Sequence, residues 1–234
     1  MSHTQHHRAA GGLVRGLVGL LGELLVTLGV VLGLFVAWQV LWTDVVADQE
    51  QAATISALEN RFSAQPAQPP ASEPEPLEGD AFAIVRIPRF GADYARPIYE
   101  GTDRATLQRG VGHYPDTALP GEVGNFSIAG HRTTYGKPFS RIAELRQGDL
   151  VIVETAESFF LYRVYSDQIV VPTQVEVVLP VPGEPGQAPT EALLTMTSCH
   201  PQFSSRQRWV THARLERVLD RADGLPEELL EVAA

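Results

Sequence analysis

Leu194-Thr195-Met196-Thr197-Ser198-Cys199 is an apolar, hydroxyl-rich run that ends in the only cysteine of the chain. Arg208 follows nine residues later. Ala192 to Ser198 reads as a strand, and Arg208 to Leu215 as the next. Cys199 closes the first and Arg208 opens the second, so the loop between them can set thiol and guanidinium side by side at one rim of a β-structure. Arg206 shares strand parity with Arg208 and can point the same way. The alternative is that both arginines are solvated surface charges, the usual fate of arginine. A lone thiol outside the cytoplasm cannot close an internal disulfide, which marks Cys199 as a free and reactive group. Its alternative is a small buried hydrophobe.

Outward from this run the pattern stays β. Ala83-Ile84-Val85-Arg86-Ile87-Pro88 reads as a strand stopped by proline. Asn125 to Gly130, Leu150 to Val153, Phe159 to Tyr165 and Ile169 to Val171 read as further strands. Phe139, Ile142 and Leu145 fall at helical spacing within Pro138 to Gln147, with Gly148 at the stop position, which predicts a short helix. Gly183 to Pro189 reads as a loop. Many short strands with short helices predict a mainly β domain, a barrel or a sandwich.

The N-terminal third is different. Leu17 to Trp42 is apolar apart from Glu23, Thr27 and Gln39. As a helix it spans about 39 Å, against roughly 30 Å for a bilayer core. It is too long for a signal-peptide core and has no small-residue cleavage site after it, so it reads as an uncleaved anchor. Arg8 and Arg15 precede the run, while Asp44, Asp48 and Glu50 follow it, which predicts a cytoplasmic N-terminus and an extracellular remainder. Thr43 to Phe62 has the composition of a juxtamembrane helix. Ser63 to Asp80, with Gln65-Pro66-Ala67-Gln68-Pro69-Pro70, reads as an extended spacer. The expected division is a tail at 1–15, an anchor at 16–42, a juxtamembrane helix and spacer at 43–80, a catalytic domain at 81–220 and a C-terminal tail at 221–234. Anchor and spacer are expected to be dispensable for chemistry, with a chain starting near Glu78 soluble and active.

The net charge of −10 over 234 residues, with no basic tract, excludes a nucleic-acid partner. One cysteine, no paired histidine spacing and no CxxC fall short of a zinc pattern, so no metal or other cofactor is expected. A thiol nucleophile needs a histidine and a donor for the oxyanion. His200 is adjacent to Cys199 and in a strand would point the other way. His131 follows a strand end, where a turn can aim it into a cleft. For His113, His200 and His212 a satisfied structural role is the expectation.

Gly130-His131-Arg132, Phe139-Ser140-Arg141-Ile142-Ala143-Glu144-Leu145 and Gly148-Asp149-Leu150-Val151 together resemble the histidine region of sortases. Thr195-Met196-Thr197-Ser198-Cys199 is similar to their Thr-Leu-x-Thr-Cys signature, with Met196 and Ser198 as departures of like size. The run from Cys199 to Arg208, with Val210 and His212-Ala213, resembles the class E branch of actinobacteria. The resemblance implies a closed sortase β-barrel behind a transmembrane helix and a Pro-rich linker. It implies Cys199 as nucleophile, His131 as acid/base and Arg208 as the group that holds substrate and oxyanion. Ser198, Thr197 and Tyr135 are its implied substrate-side residues. The implied reaction is cleavage of a Thr-Gly bond in a Leu-Ala-x-Thr-Gly or Leu-Pro-x-Thr-Gly sorting signal, with transfer to a cell-wall or pilin amine. The implied partners are surface proteins that bear such signals. A surface cysteine peptidase that hydrolyses, or a non-enzymatic anchored β-domain, stand as the alternatives.

Overall fold

The computed structural model describes residues 6–64 and 76–230. Most of the expected Pro-rich spacer and the last residues of the C-terminal tail lie outside them. The chain divides into two compact units, Met1–Trp42 and Thr43–Ala234. Within the first, the part of helix α1 (His6–Ala64) that it contains exposes an apolar surface over Leu17 to Trp38, with Leu20, Leu24 and Phe35 all more than half exposed. By length and composition this helix is a candidate membrane span. Trp38 and Trp42 stack on it with ring centroids 6.0 Å apart.

The second unit is a closed barrel in the spatial order β1-β2-β3-β4-β7-β8-β6-β5. Its strands are β1 (Ala81–Arg86), β2 (Ala95–Glu100), β3 (Val111–His113), β4 (Gly124–Ala129), β5 (Leu150–Glu154), β6 (Ser158–Val170), β7 (Ala192–His200) and β8 (Gln207–Asp220), with a short α2 (Arg104–Arg109) after β2. β1 pairs with β5 and closes the ring, which leaves no free sheet edge. β1 and β5 are largely apolar on both faces because both faces are covered. Along β1, Ala83, Val85 and Ile87 enter the barrel core beside Phe126, Ile128 and Met196. Ile84, between them, packs outward against Leu58 and Phe62 of α1.

That outward packing explains the second half of α1. Asp44, Asp48, Gln51, Ile55, Leu58 and Phe62 recur at four- and three-residue steps, one stripe of a helix. Leu58 and Phe62 are buried, and each such side chain stabilises by about 2 kcal/mol. The Tyr99 hydroxyl donates to Thr54 at 3.1 Å. Arg86 links Glu59 of the helix at 2.7 Å to the buried Glu154 of β5 at 2.8 Å, and Arg221 adds a second cation to Glu154 at 2.6 Å. The second half of α1 is thus part of the barrel's body.

Two local readings are corrected by the structure. The segment Pro138 to Gln147 forms only a 3₁₀ turn at Ile142–Glu144. Phe139, Ile142 and Leu145 are all buried, and their three-residue spacing suits that tighter turn. Phe159–Tyr165 and Ile169–Val171 belong to one long strand, β6, rather than two. Its polar middle, Ser166-Asp167-Gln168, imitates a turn but stays paired with His212, Thr211 and Val210 of β8, next to a register shift at Val164/Ser166.

Candidate active site

β4, β7 and β8 are neighbours, and their registers assemble the site. Parallel β4 and β7 set Ala129 opposite Thr197, and the Gly130 amide then donates to the Thr197 carbonyl at 3.1 Å. His131 follows two residues past the end of β4. Antiparallel β7 and β8 pair Cys199 directly with Arg208. Leu194 and Met196 of β7 face the core, so Thr197 and Cys199, of opposite parity, face outward. Cys199 and Arg208 are thus ladder partners at one end of β7 and β8, and His131 follows the end of the neighbouring β4.

The histidines separate by how they are satisfied. His113 is buried with Nδ1 2.6 Å from Glu100 Oε2 and Nε2 2.8 Å from Thr117 Oγ1. His212 is buried with Nδ1 2.9 Å from Thr195 Oγ1 and Nε2 3.0 Å from Gln168 Nε2. His200 packs on the Trp209 ring at 5.5 Å and lies 3.5 Å from Arg132 Nη1. His131 differs: its Nε2 is buried with no hydrogen-bond partner among the described residues. An unmet buried nitrogen costs about 1–3 kcal/mol, and a group kept in that condition is available to a proton donor or acceptor that enters later. Burial, and then the charge of Arg104, push the His131 pKa below the ordinary imidazole value.

Arg208 Nη1 donates to the carbonyls of Ser205 and Gln207, each at 2.9 Å. The guanidinium is thereby held at the root of the β7–β8 loop, beside its ladder partner Cys199. Arg206 lies exposed in the loop, its amide donating to Ser204 Oγ at 3.3 Å. The thiol is partly exposed and unbridged. Thr197 shares the face of Cys199, with its hydroxyl 3.0 Å from that of Tyr114. Ser198 faces the other way, is buried, and donates to the Gly130 carbonyl at 2.8 Å, which ties β7 to the strand end that carries His131.

Two residues escaped the sequence reading. Arg132 is buried, and its Nη1 donates to the Cys199 carbonyl at 3.1 Å with the guanidinium 5.9 Å from the Trp209 ring. Burial lowers the Arg132 pKa, against the opposing pull of Cys199. The signal was its place next to His131, but adjacency alone does not say that a side chain turns back towards the thiol strand. Arg104 acts on His131 from the start of α2, a proximity that no spacing reveals.

Tyr135 lies over His131 with ring centroids 5.3 Å apart, and its hydroxyl accepts from Gln108 Nε2 at 3.0 Å. It begins a left-handed run: φ is 55° at Tyr135, 70° at Gly136 and 38° at Lys137. Each non-glycine residue so placed costs about 1–3 kcal/mol and persists only where surrounding contacts hold it. Among the described residues no group of three or more His, Cys, Asp or Glu side chains is arranged to hold a metal.

A sortase domain model matches residues 85–216. Sortase SrtE1 of Streptomyces coelicolor is 35% identical over 218 residues, 90% of this chain and 60% of that one. The chain thus spans less than two thirds of that relative's length. Sortase SrtE2 of the same organism is 31% identical over 243 residues, with 94% of each chain covered. The crystal structure of sortase E1 from Streptomyces coelicolor with a tripeptide in the active site superposes with a TM-score of 0.60 at 34% identity, over 66% of this chain and 99% of that one.

Proposed function

We propose that this chain, which belongs to the sortase family, is a membrane-anchored cysteine transpeptidase that sorts proteins by a C-terminal signal. Cys199, as thiolate, attacks the carbonyl carbon of the Thr-Gly bond in a Leu-Ala-x-Thr-Gly or Leu-Pro-x-Thr-Gly segment. Arg208 donates to the developing oxyanion. His131, as imidazolium, protonates the departing glycine amine, which leaves a thioester on Cys199 and a neutral imidazole. An amine from a cell-wall peptide stem or a pilin then attacks the thioester, and His131 takes up its proton. Thr197 and Tyr135 line the substrate side, and Ser198 acts by fixing the strand end before His131.

What supports this reading is the pairing of Cys199 with Arg208 in the β7–β8 ladder, with His131 just past the end of β4, the other neighbour of β7, together with the unpartnered His131 Nε2. The tripeptide held by sortase E1 lends the substrate class. The candidate span, with Arg8 and Arg15 before it and acidic residues after it, supports a single-pass anchor with the barrel outside the cell.

Mass spectrometry of the protein incubated with Leu-Ala-Glu-Thr-Gly and Leu-Pro-Glu-Thr-Gly peptides tests it. A thioester adduct on Cys199, lost in Cys199→Ala and discharged by a glycine-based amine into a ligated product, is expected. Ligation by Cys199→Ala defeats the proposal. Water as the only acceptor under excess amine would make the protein a peptidase instead.

A further inference from the structure

The second half of α1 does more than cover β1, because its polar end is built onto the turn that follows His131. Gln51 is fully buried, and its Nε2 donates to the Tyr135 carbonyl at 3.1 Å while its Oε1 has no partner among the described residues. Buried Asp44 accepts from the Gly136 amide at 3.2 Å and pairs with Lys137 Nζ at 2.7 Å. Asp48 holds Arg96 at 3.2 Å, and Arg96 in turn donates to the Gly136 carbonyl at 3.2 Å. The fit leaves no slack: a Cβ added at Gly136 would stand 2.9 Å from Asp48 Oδ1 and 2.9 Å from Gln51 Nε2. Each of the three left-handed residues 135–137 thus takes a bond from the helix. The ring of the first of them lies on His131.

We propose that Asp44 and Gln51 are positioning residues for His131, holding the strained Tyr135-Gly136-Lys137 turn so that the Tyr135 ring fixes the imidazole beside Cys199. Released from the helix, the turn relaxes out of its left-handed conformation, Tyr135 withdraws, and His131 gains water and rotational freedom. The juxtamembrane segment is then a working part of the active site. A buried glutamine that makes one hydrogen bond is costly as mere packing, which is a reason to look for such a role. This inference rests on the transpeptidase reading for its kinetics and on geometry alone for the state of His131.

The test uses the full chain in detergent micelles and two readouts: steady-state transpeptidation of the Leu-Ala-Glu-Thr-Gly peptide, and NMR titration of ¹⁵N-labelled His131, assigned with His131→Gln. Gln51→Leu and Asp44→Ala are expected to lower kcat about ten- to a hundred-fold through a misplaced imidazole, with KM changed less than about two-fold. Both should raise the His131 titration midpoint towards the exposed value of about 6.5. Asp44→Asn, which keeps an acceptor for the Gly136 amide, should recover most of kcat. Glu59→Gln removes the Arg86 pair from the same helix without touching the turn, and should leave kcat and the His131 midpoint unchanged. Wild-type kcat and an unmoved midpoint in Gln51→Leu and Asp44→Ala would overturn the proposal. So would a loss of kcat in Glu59→Gln matching theirs, because the helix would then act through stability alone. If the unaltered chain forms no thioester with any peptide, the transpeptidase reading fails, and the His131 midpoint still decides for or against positioning.

Discussion

His131 and Arg208 carry opposite demands, and each yields a measurement. Acylation draws on a thiolate and an imidazolium together. Burial and Arg104 hold His131 below its ordinary value, so the acid limb of kcat/KM is expected below about pH 6.5. Arg104→Ala removes the repelling charge and should move that limb upward. An acid limb at or above 6.5 that ignores Arg104→Ala would show that His131 is not the group titrating. Arg208 meets a different need. A lysine keeps the charge but cannot reproduce a planar fork of donors. Arg208→Lys is therefore expected to lose about a hundred-fold in kcat/KM. Arg206→Lys should change little, because Arg208 and not Arg206 faces Cys199 in the ladder. The reverse pattern in a peptide assay would transfer the oxyanion role to Arg206.

Among the elements, the sheet behind the site is held by one chain of hydrogen bonds. Gln168 of β6 meets His212 of β8, His212 meets Thr195 of β7, and Thr195 donates to Asn125 of β4 at 2.8 Å. Asn125 donates in turn to the Leu179 carbonyl at 2.9 Å, in the β6–β7 connection. The chain is complete when His212 is neutral and protonated at Nδ1, and burial pushes its pKa down to about 4. A histidine depressed in the folded state binds its proton more readily when unfolded, so stability is lost as pH falls from about 6.5 towards 4. At 1.36 kcal/mol per unit this is about 3 kcal/mol. Urea unfolding at pH 7.5 and 4.5 should show this loss in the wild type on top of the carboxylate contribution, and a smaller one in His212→Gln. Equal losses in the two proteins would mean that His212 does not drive the acid sensitivity. Sequence reasoning reached β4, β7 and β8 and the pairing of Cys199 with Arg208, since these follow from strand ends and parity, but it split β6 in two and did not find β2 or β3. It did not reach the chain of bonds, because Asn125, Thr195 and His212 are far apart in sequence and each reads singly as an ordinary polar residue. Nor did it find the working face of α1. The stripe from Asp44 to Phe62 is half polar, so an apolar period does not single it out. Its polar half acquires meaning only from the turn at 135–137, whose left-handed backbone has no clear mark in Tyr135 or Lys137.

For the whole molecule the question is where the folding unit begins. Composition puts the boundary at the Pro-rich spacer and predicts an independent domain from about Glu78. The packing puts it earlier, since the compact unit starts at Thr43. A chain begun at Glu78 uncovers Ile84, which α1 otherwise buries with Leu58 and Phe62, and takes Glu59 away from Arg86. Loss of the burial of Ile55, Leu58 and Phe62 amounts to roughly 5 kcal/mol. That is a third or more of the total stability of an ordinary domain, about 5–15 kcal/mol. For a unit of this size it corresponds to a fall of about 10–20 °C in Tm. The chain from Glu78 should therefore keep its β-sheet circular dichroism, melt well below the chain from Thr43, and be slow in kcat because the turn after His131 has lost its clamp. The chain from Thr43, without the apolar span, should match the full protein in both respects. Equal melting temperatures and equal kcat for the two truncations would return the boundary to Glu78 and reduce the juxtamembrane helix to a tether.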